Sequence, residues 1–259
     1  MKSLTQHQLK NLRKLLQKKF RDEEKKFIVE GWRSVEEAML SDWHVEMLLS
    51  ASEQIEHEYG KKIFSLAEQN AVPVYSVSGK EFSHVSDTET PQGILAIVHQ
   101  KSASRNTIPT SGNFIVAFDT VSDPGNLGTM LRTCDWFGVD AVLLGKNCVE
   151  LFNPKVVRAA MGAIFHVQIF TEIDLDTALQ KLQAKEFQIL SASVQAKQSL
   201  LKIAFPKKAV MLFGNEAHGI SLALEKLSDE LFSIPRFGKA ESLNVTAACA
   251  AVLAVWRSQ

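Results

Sequence analysis

Three stretches of this chain gather residue types that can hold and activate a ligand: "DTVSDPGNLGTMLR" from Asp119 to Arg132, "FGNEAHGIS" from Phe213 to Ser221, and "IPRFGKAESLN" from Ile234 to Asn244. Each follows an apolar strand-forming run and leads into a helical pattern. In open α/β sheets, ligands bind at the loops that leave the carboxyl ends of strands. Asn126 stands where a helix begins, so backbone N–H groups there can face an anion. Arg132 offers a planar fork suited to a phosphate or ribose oxygen. Glu216, Ser242 and Asn244 add a carboxylate, a hydroxyl and an amide. Each also has a simpler reading taken singly: Asn126 as a helix cap, Arg132 paired with a surface acid, Glu216 as a first-turn acid favoured by the helix dipole, Ser242 and Asn244 as caps of the last helix. Nucleotide-binding and hydrolase signatures do not account for the set. "GNLGTM" is not GxGxxG, no GxxxxGK[ST] occurs, and no GxSxG surrounds Ser242.

The elements that must position these loops alternate along residues 113–259. Strands are expected at 114–119, 139–144, 165–170, 187–193, 208–213 and 231–235, with helices at 126–137, 154–162, 174–185 and 219–227 between them. That order predicts a mostly parallel sheet covered on both faces. From Val245 to Trp256 the last helix is apolar or small on every side, so both its faces should be buried. Upstream, residues 1–100 form a smaller α/β domain. Leu4, Leu9, Leu12, Leu15 and Leu16 lie at helical spacing, followed by a strand at Phe27–Val29, a helix through Val35 and Leu40, strand "VEMLLS", a helix over Glu53–Gln69, and strands "VPVYSV" and "GILAIVHQ". The polar, Ser/Thr-rich segment 101–112 reads as a linker.

The composition is that of an ordinary globular protein: 259 residues, 46% apolar and 8% aromatic, long enough for two domains. No apolar run approaches the roughly 20 residues that cross a bilayer, and "MKSLTQHQLKNLRK" lacks a signal-peptide core, so a cytoplasmic protein is expected. Cys134, Cys148 and Cys249 form no CxxC pair and the histidines are scattered, which points to free thiols and away from a metal centre. Residues 1–26 carry nine Lys/Arg against three acids in a chain of zero formal charge. Such clustering suits either a polyanion or a solvated helix face.

Taken together, these motifs resemble the SpoU (TrmH-type) family of RNA ribose 2′-O-methyltransferases, within the class of knotted methyltransferases. The residues that carry the resemblance are "DPGNLGTMLRTCDWFG", "LFGNEAHGIS" and "IPRFGKAESLNVTAACAAVLAVW", in family order across 113–257. "NPKVVRAAMGAIF" is similar to an intervening helix whose basic residues face RNA, and "LRKLLQKKFRDEEKKFIVEGWRSVEEAM" resembles the substrate-binding domain many members carry. The resemblance implies a C-terminal trefoil knot with the last helix threaded through a loop, and S-adenosylmethionine lined by Gly214, Ile234 and Leu243 with Asn215 and Pro235 adjacent. It also implies a catalytic Arg132 oriented by Asn126, Glu216, Ser242 and Asn244, and a homodimer through the knot region. Arg13, Lys14, Lys18, Lys19, Arg21, Arg33, Lys155 and Arg158 are then candidates for RNA phosphate contact, with ribosomal RNA favoured over transfer RNA. A knotted RNA base methyltransferase and a non-catalytic RNA-binding relative are the alternatives. The presence of every motif residue speaks against the second.

Overall fold

The computed structural model describes residues 3–52, 58–101, 109, 112–215 and 219–259. It forms two compact units, one of Met1–Ser102 with Glu150–His166, the other of Ala103–Val149 with Val167–Gln259. Sequence order alone assigns Glu150–His166 to the C-terminal part of the chain; its packing assigns it to the N-terminal unit.

In the N-terminal unit, the opening leucine run is not one helix: α1 (Gln6–Lys14) holds Leu9 and Leu12 and ends at Leu15, and α2 (Lys18–Glu24) begins beyond Leu16. A capping box between Thr5 and Gln8 starts α1. The sheet β1 (Lys26–Glu30), β2 (Val45–Ala51), β3 (Val74–Val77) and β4 (Ile94–His99) has the order β1-β4-β2-β3. Its connections carry α3 (Trp32–Leu40), α4 (Glu58–Gln69) and α5 (Gly79–Val85). The expected helix beginning at Glu53 is described from Glu58 onward. Helix α5 is too short for periodicity to reveal, but Ser78 and Glu81 form the capping box that announces it. Leu9, Leu15, Ile28, Leu49, Phe82 and Leu95 share one apolar core.

Arg21 does not belong to the RNA surface. It is only 2% exposed and forks onto Glu150, with Nε donating to Oε1 at 2.9 Å and Nη2 to Oε2 at 2.5 Å, while Nη1 donates to the Leu15 carbonyl at 2.8 Å. A basic residue inside a basic segment looks solvated until its partner, far along the chain, is known. Removing one partner of a buried pair strands the other charge. Because the Glu150 side chain keeps 15% exposure, Arg21→Met should cost about 2–3 kcal/mol in urea unfolding; a change below about 0.5 kcal/mol, the size expected of an ordinary surface substitution, would contradict the structural role. Past Glu150, α7 (Pro154–Ala160) is capped by Asn153, and Arg158 faces Asp87 at 3.4 Å. The last turn of this segment, Ala163–Phe165, is a buried 3-10 helix. The strand expected from residue 165 therefore starts only at Gln168.

The C-terminal unit holds β5 (Phe114–Phe118), β6 (Ala141–Gly145), β7 (Gln168–Ile173), β8 (Gln188–Ala192), β9 (Gln198–Ser199), β10 (Ala209–Phe213) and β11 (Glu230–Ser233). Their order is β7-β6-β5-β10-β8-β11-β9, and every pairing is parallel. All residues of β5, β6 and β10 are buried, as a sheet covered on both faces requires. Helices α6 (Pro124–Trp136), α8 (Leu175–Gln183), α9 (Leu222–Leu227) and α10 (Val245–Arg257) complete the unit.

Helix α10 is buried on one side only. Val245, Cys249, Val252 and Leu253 face inward, Trp256 stacks on Phe114 with ring centroids 3.4 Å apart, and Arg257 donates to the Phe137 carbonyl at 2.7 Å. Ala247 and Ala254 on the other side are exposed, as is Trp136 of α6. Within the single chain the expected burial is met on one face of α10, where α6 packs, and the other face is uncovered. Burial raises the Cys134 thiol well above its ordinary pKa, with the hydrogen bond to Cys249 adding to it, and burial pushes Cys148 up to about 11. All three cysteines are free thiols.

Candidate active site

From β5 the chain runs outward to β6 and β7, whereas β10 and β8 lie on the other side of β5. The crevice between β5 and β10 is thus a topological switch point, where an open parallel sheet has room for a ligand. The first two chemistry-bearing loops leave these two strands.

Hydrogen bonds stitch those loops together. Asp119 N donates to the Phe213 carbonyl at 2.8 Å, Asp119 Oδ2 accepts from Ser221 N at 3.1 Å, and Asn215 Nδ2 donates to the Thr120 carbonyl at 3.0 Å. Asn215 and Gly219 exchange both backbone bonds, at 2.9 and 2.8 Å. Gly214 makes this approach possible, since a Cβ there would lie 2.1 Å from the Gly219 carbonyl carbon. Glu216 lies outside the described residues.

The third loop joins through Asn244. Its Oδ1 caps α10 by accepting from Thr246 N at 2.8 Å, and its Nδ2 donates to Asn126 Oδ1 at 3.4 Å. Asn126 is not itself a cap. Asp123 takes that duty, accepting from Asn126 N at 2.7 Å with Pro124 in the first turn. The Asn126 side chain is thereby left to meet Asn244. Nor does Ser242 cap α10; it is exposed, and among the described residues it has no hydrogen-bond partner.

Arg132 is exposed, and among the described residues it has neither a hydrogen-bond nor an ion-pair partner. Six residues beyond Asn126, it stands about 120° round the helix from it. It shares that face with Thr129 and Trp136. In one chain, therefore, Asn126 and Asn244 are brought together and Arg132 is not. Of the residues expected to line a cofactor pocket, Gly214 is buried, Asn215, Ile234 and Pro235 are half-buried, and Leu243 is exposed. They sit at the carboxyl ends of β10 and β11, which flank β8. Asp119 and Thr120 were not singled out by residue type, though they tie the first loop to the second. The signal was Asp119 at the end of an apolar run, where a strand meets its ligand loop.

In the N-terminal unit, Arg13, Lys14, Lys18, Lys19, Arg33 and Lys155 are exposed and Arg158 is half-buried. Lys18 pairs with Asp22 at 2.7 Å and Lys19 with Glu23 at 3.9 Å, exposed contacts that a phosphate can displace at little cost. Lys14 and Lys19 also stand over the Phe20 ring, 5.6 and 5.8 Å from its centroid.

A parallel sheet with loops converging at its switch point, together with a second α/β unit, defines a two-part α/β protein. The chain belongs to the SpoU rRNA methylase family, whose profile matches residues 113–254; residues 6–96 match the MRM3-like substrate binding domain. It is 34% identical over 250 residues to the 23S rRNA (guanosine(2553)-2′-O)-methyltransferase RlmP of Bacillus subtilis, covering 96% of each chain. The AdoMet-bound rRNA methyltransferase from Sinorhizobium meliloti superposes with a TM-score of 0.84 at 30% identity, covering 100% of this chain and 97% of that one. The SpoU methyltransferase AviRb from Streptomyces viridochromogenes shares the fold, with a TM-score of 0.85 at 22% identity over 98% of each chain.

Proposed function

We propose that this protein transfers the methyl group of S-adenosylmethionine to a ribose 2′-hydroxyl of ribosomal RNA. The observation that carries the reading is the joining of three loops, distant in sequence, at the carboxyl edge of one parallel sheet through Asp119, Asn215, Asn126 and Asn244. Support comes also from the B. subtilis relative, named for 2′-O-methylation of 23S rRNA, and from the S. meliloti relative, which holds the methyl donor.

The residues present fit that donor. Main-chain groups at Gly214, Asn215, Ile234 and Pro235 would read the adenine edge, and the incompletely covered Ile234 and Leu243 would sandwich its ring. The donor has no phosphate, which agrees with loops that lack a glycine-rich cradle. Bound there, it supplies a methyl group on a sulfonium centre that leaves as a neutral thioether.

The chain's own task is to align the hydroxyl and favour loss of its proton to solvent water as the oxygen takes the methyl group. A guanidinium does not give up a proton in a protein, so Arg132 is a clamp rather than a base. It holds a phosphate beside the reacting ribose and stabilises negative charge as it develops on oxygen. The paired amides of Asn126 and Asn244 orient the sugar, with Ser242 and Glu216 assigned the same task. We assign phosphate contact to Arg13, Lys14, Lys18, Lys19, Arg33, Lys155 and Arg158. RNA affinity should then fall by at least about a hundredfold between roughly 50 and 200 mM salt, as counterion release demands. A flat response in a filter-binding titration would remove these residues from the interface.

The threaded C-terminal helix, a homodimer and a cytoplasmic location belong to the same reading. The dimer interface is the uncovered side of α10 with Trp136, which is 84% exposed. Arg132 shares the Trp136 face and so stands at that interface. Labelled donor and protein-free 23S rRNA provide the test. The expected product is a 2′-O-methylnucleoside that blocks alkaline cleavage at one position; a methylated base would transfer the chain to the alternative chemistry.

A further inference from the structure

Four exposed apolar side chains follow three neighbouring strands: Val194 after β8, Leu222 at the start of α9 after β10, and Phe237 and Leu243 on the loop after β11. Phe237 is the aromatic among them, and it is 94% exposed. Every residue from Arg236 to Asn244 is exposed, so the whole segment projects from the sheet edge. Arg236 Nη1 donates to the Ala240 carbonyl at 3.3 Å, closing the bend that carries the ring. Next to the ring, a Cβ on Gly238 would meet nothing within 4 Å. Approach to the phenyl face is therefore open.

The charges around it select the occupant. Arg236 and Lys239 lie on either side of Phe237 in the chain and are exposed, and Lys197 and Lys202 are exposed on the segments after β8 and β9; Glu241 is the exposed acid of the projecting loop. An uncovered aromatic face set among cations takes a nucleobase, because stacking tolerates any base and the cations meet the phosphates on either side. The same loop ends in Asn244, which bonds Asn126. Resting on the methyl-transfer reading, we infer that Phe237 is the platform on which an unpaired base beside the reacting ribose stacks.

The test is steady-state methylation of protein-free 23S rRNA by the wild-type protein and by Phe237→Ala, Phe237→Leu, Phe237→Tyr and Phe237→Trp, each also checked by donor calorimetry and sedimentation. Phe237→Ala should raise KM for RNA by about ten- to a hundredfold, the range of one lost stacking contact, with kcat changed less. Tyrosine and tryptophan should restore KM to within about threefold of wild type because either ring can stack, and leucine should not. Donor affinity and oligomeric state should be the same throughout. An unchanged KM in Phe237→Ala, or restoration by leucine as full as by tyrosine, would overturn the stacking role. So would loss of donor affinity or of the oligomer in Phe237→Ala, since the ring would then line the donor pocket or a subunit contact. A wild-type protein that methylates no RNA ribose refutes the underlying reading; an active wild type with an indifferent Phe237→Ala refutes only the platform.

Discussion

Replacing Arg132 with alanine should lower kcat on ribosomal RNA by about two to three orders of magnitude, the cost of removing one donor aimed at developing charge. The fold of the single chain should not register the change, because within it the side chain is exposed and, among the described residues, has no hydrogen-bond or ion-pair partner; sedimentation separates a lost clamp from a lost dimer at the interface proposed for this face. Donor affinity and thermal midpoint are therefore expected to stay at wild-type values. Arg132→Lys separates charge from shape: it keeps the positive charge but loses the planar two-pronged fork. Single-turnover transfer should place it well below wild type and above alanine. Near-normal turnover in the lysine variant would rule out a bidentate clamp.

Gly214→Ala should abolish measurable donor binding and cost about 3–5 kcal/mol of stability, the range reached when a substitution cannot be accommodated without moving backbone. The added carbon would lie 2.1 Å from the Gly219 carbonyl carbon, 2.2 Å from its oxygen and 2.3 Å from Ile220 N. No rotamer relieves a clash with main chain. To make room, the backbone pairing of Asn215 with Gly219 must open, and Ser221 is then drawn away from Asp119. Gly219→Ala is the control. Its φ of +70° carries strain, but a Cβ there meets nothing within 4 Å, so only about 1 kcal/mol is expected. Urea unfolding and donor calorimetry on the two variants distinguish crowding from backbone strain. Normal donor uptake by Gly214→Ala would show that the close approach of these loops is not needed for the site.

The sheet was legible because β5, β6 and β10 are uninterrupted apolar runs, each followed by a turn-forming loop, and burial on both faces writes that pattern directly into residue type. The convergence of the three loops followed from strand direction alone. What could not be read depended on partners remote in sequence or on single backbone angles. Arg21 sits in a run of solvated cations and is set apart only by Glu150. Asp123 and Asn126 are equally good caps by type; the choice turns on where helical angles begin, and Pro124 at the first position was the available sign. Helix α10 is apolar all round, yet composition cannot say that its neighbour α6 covers one flank only. The placement of Glu150–His166 with the N-terminal unit is long-range packing, which local periodicity does not encode.

The central claim is that the loops after β10 and β11 form one site for the methyl donor, beside the loop after β5 that aligns the ribose. Hydrogen exchange followed by mass spectrometry, with and without S-adenosylhomocysteine as the bound probe, tests it directly. The account predicts simultaneous protection of amides in residues 214–221 and 234–244, with the N-terminal unit unaffected. Protection of one loop without the other, or protection confined to the N-terminal unit, would contradict it.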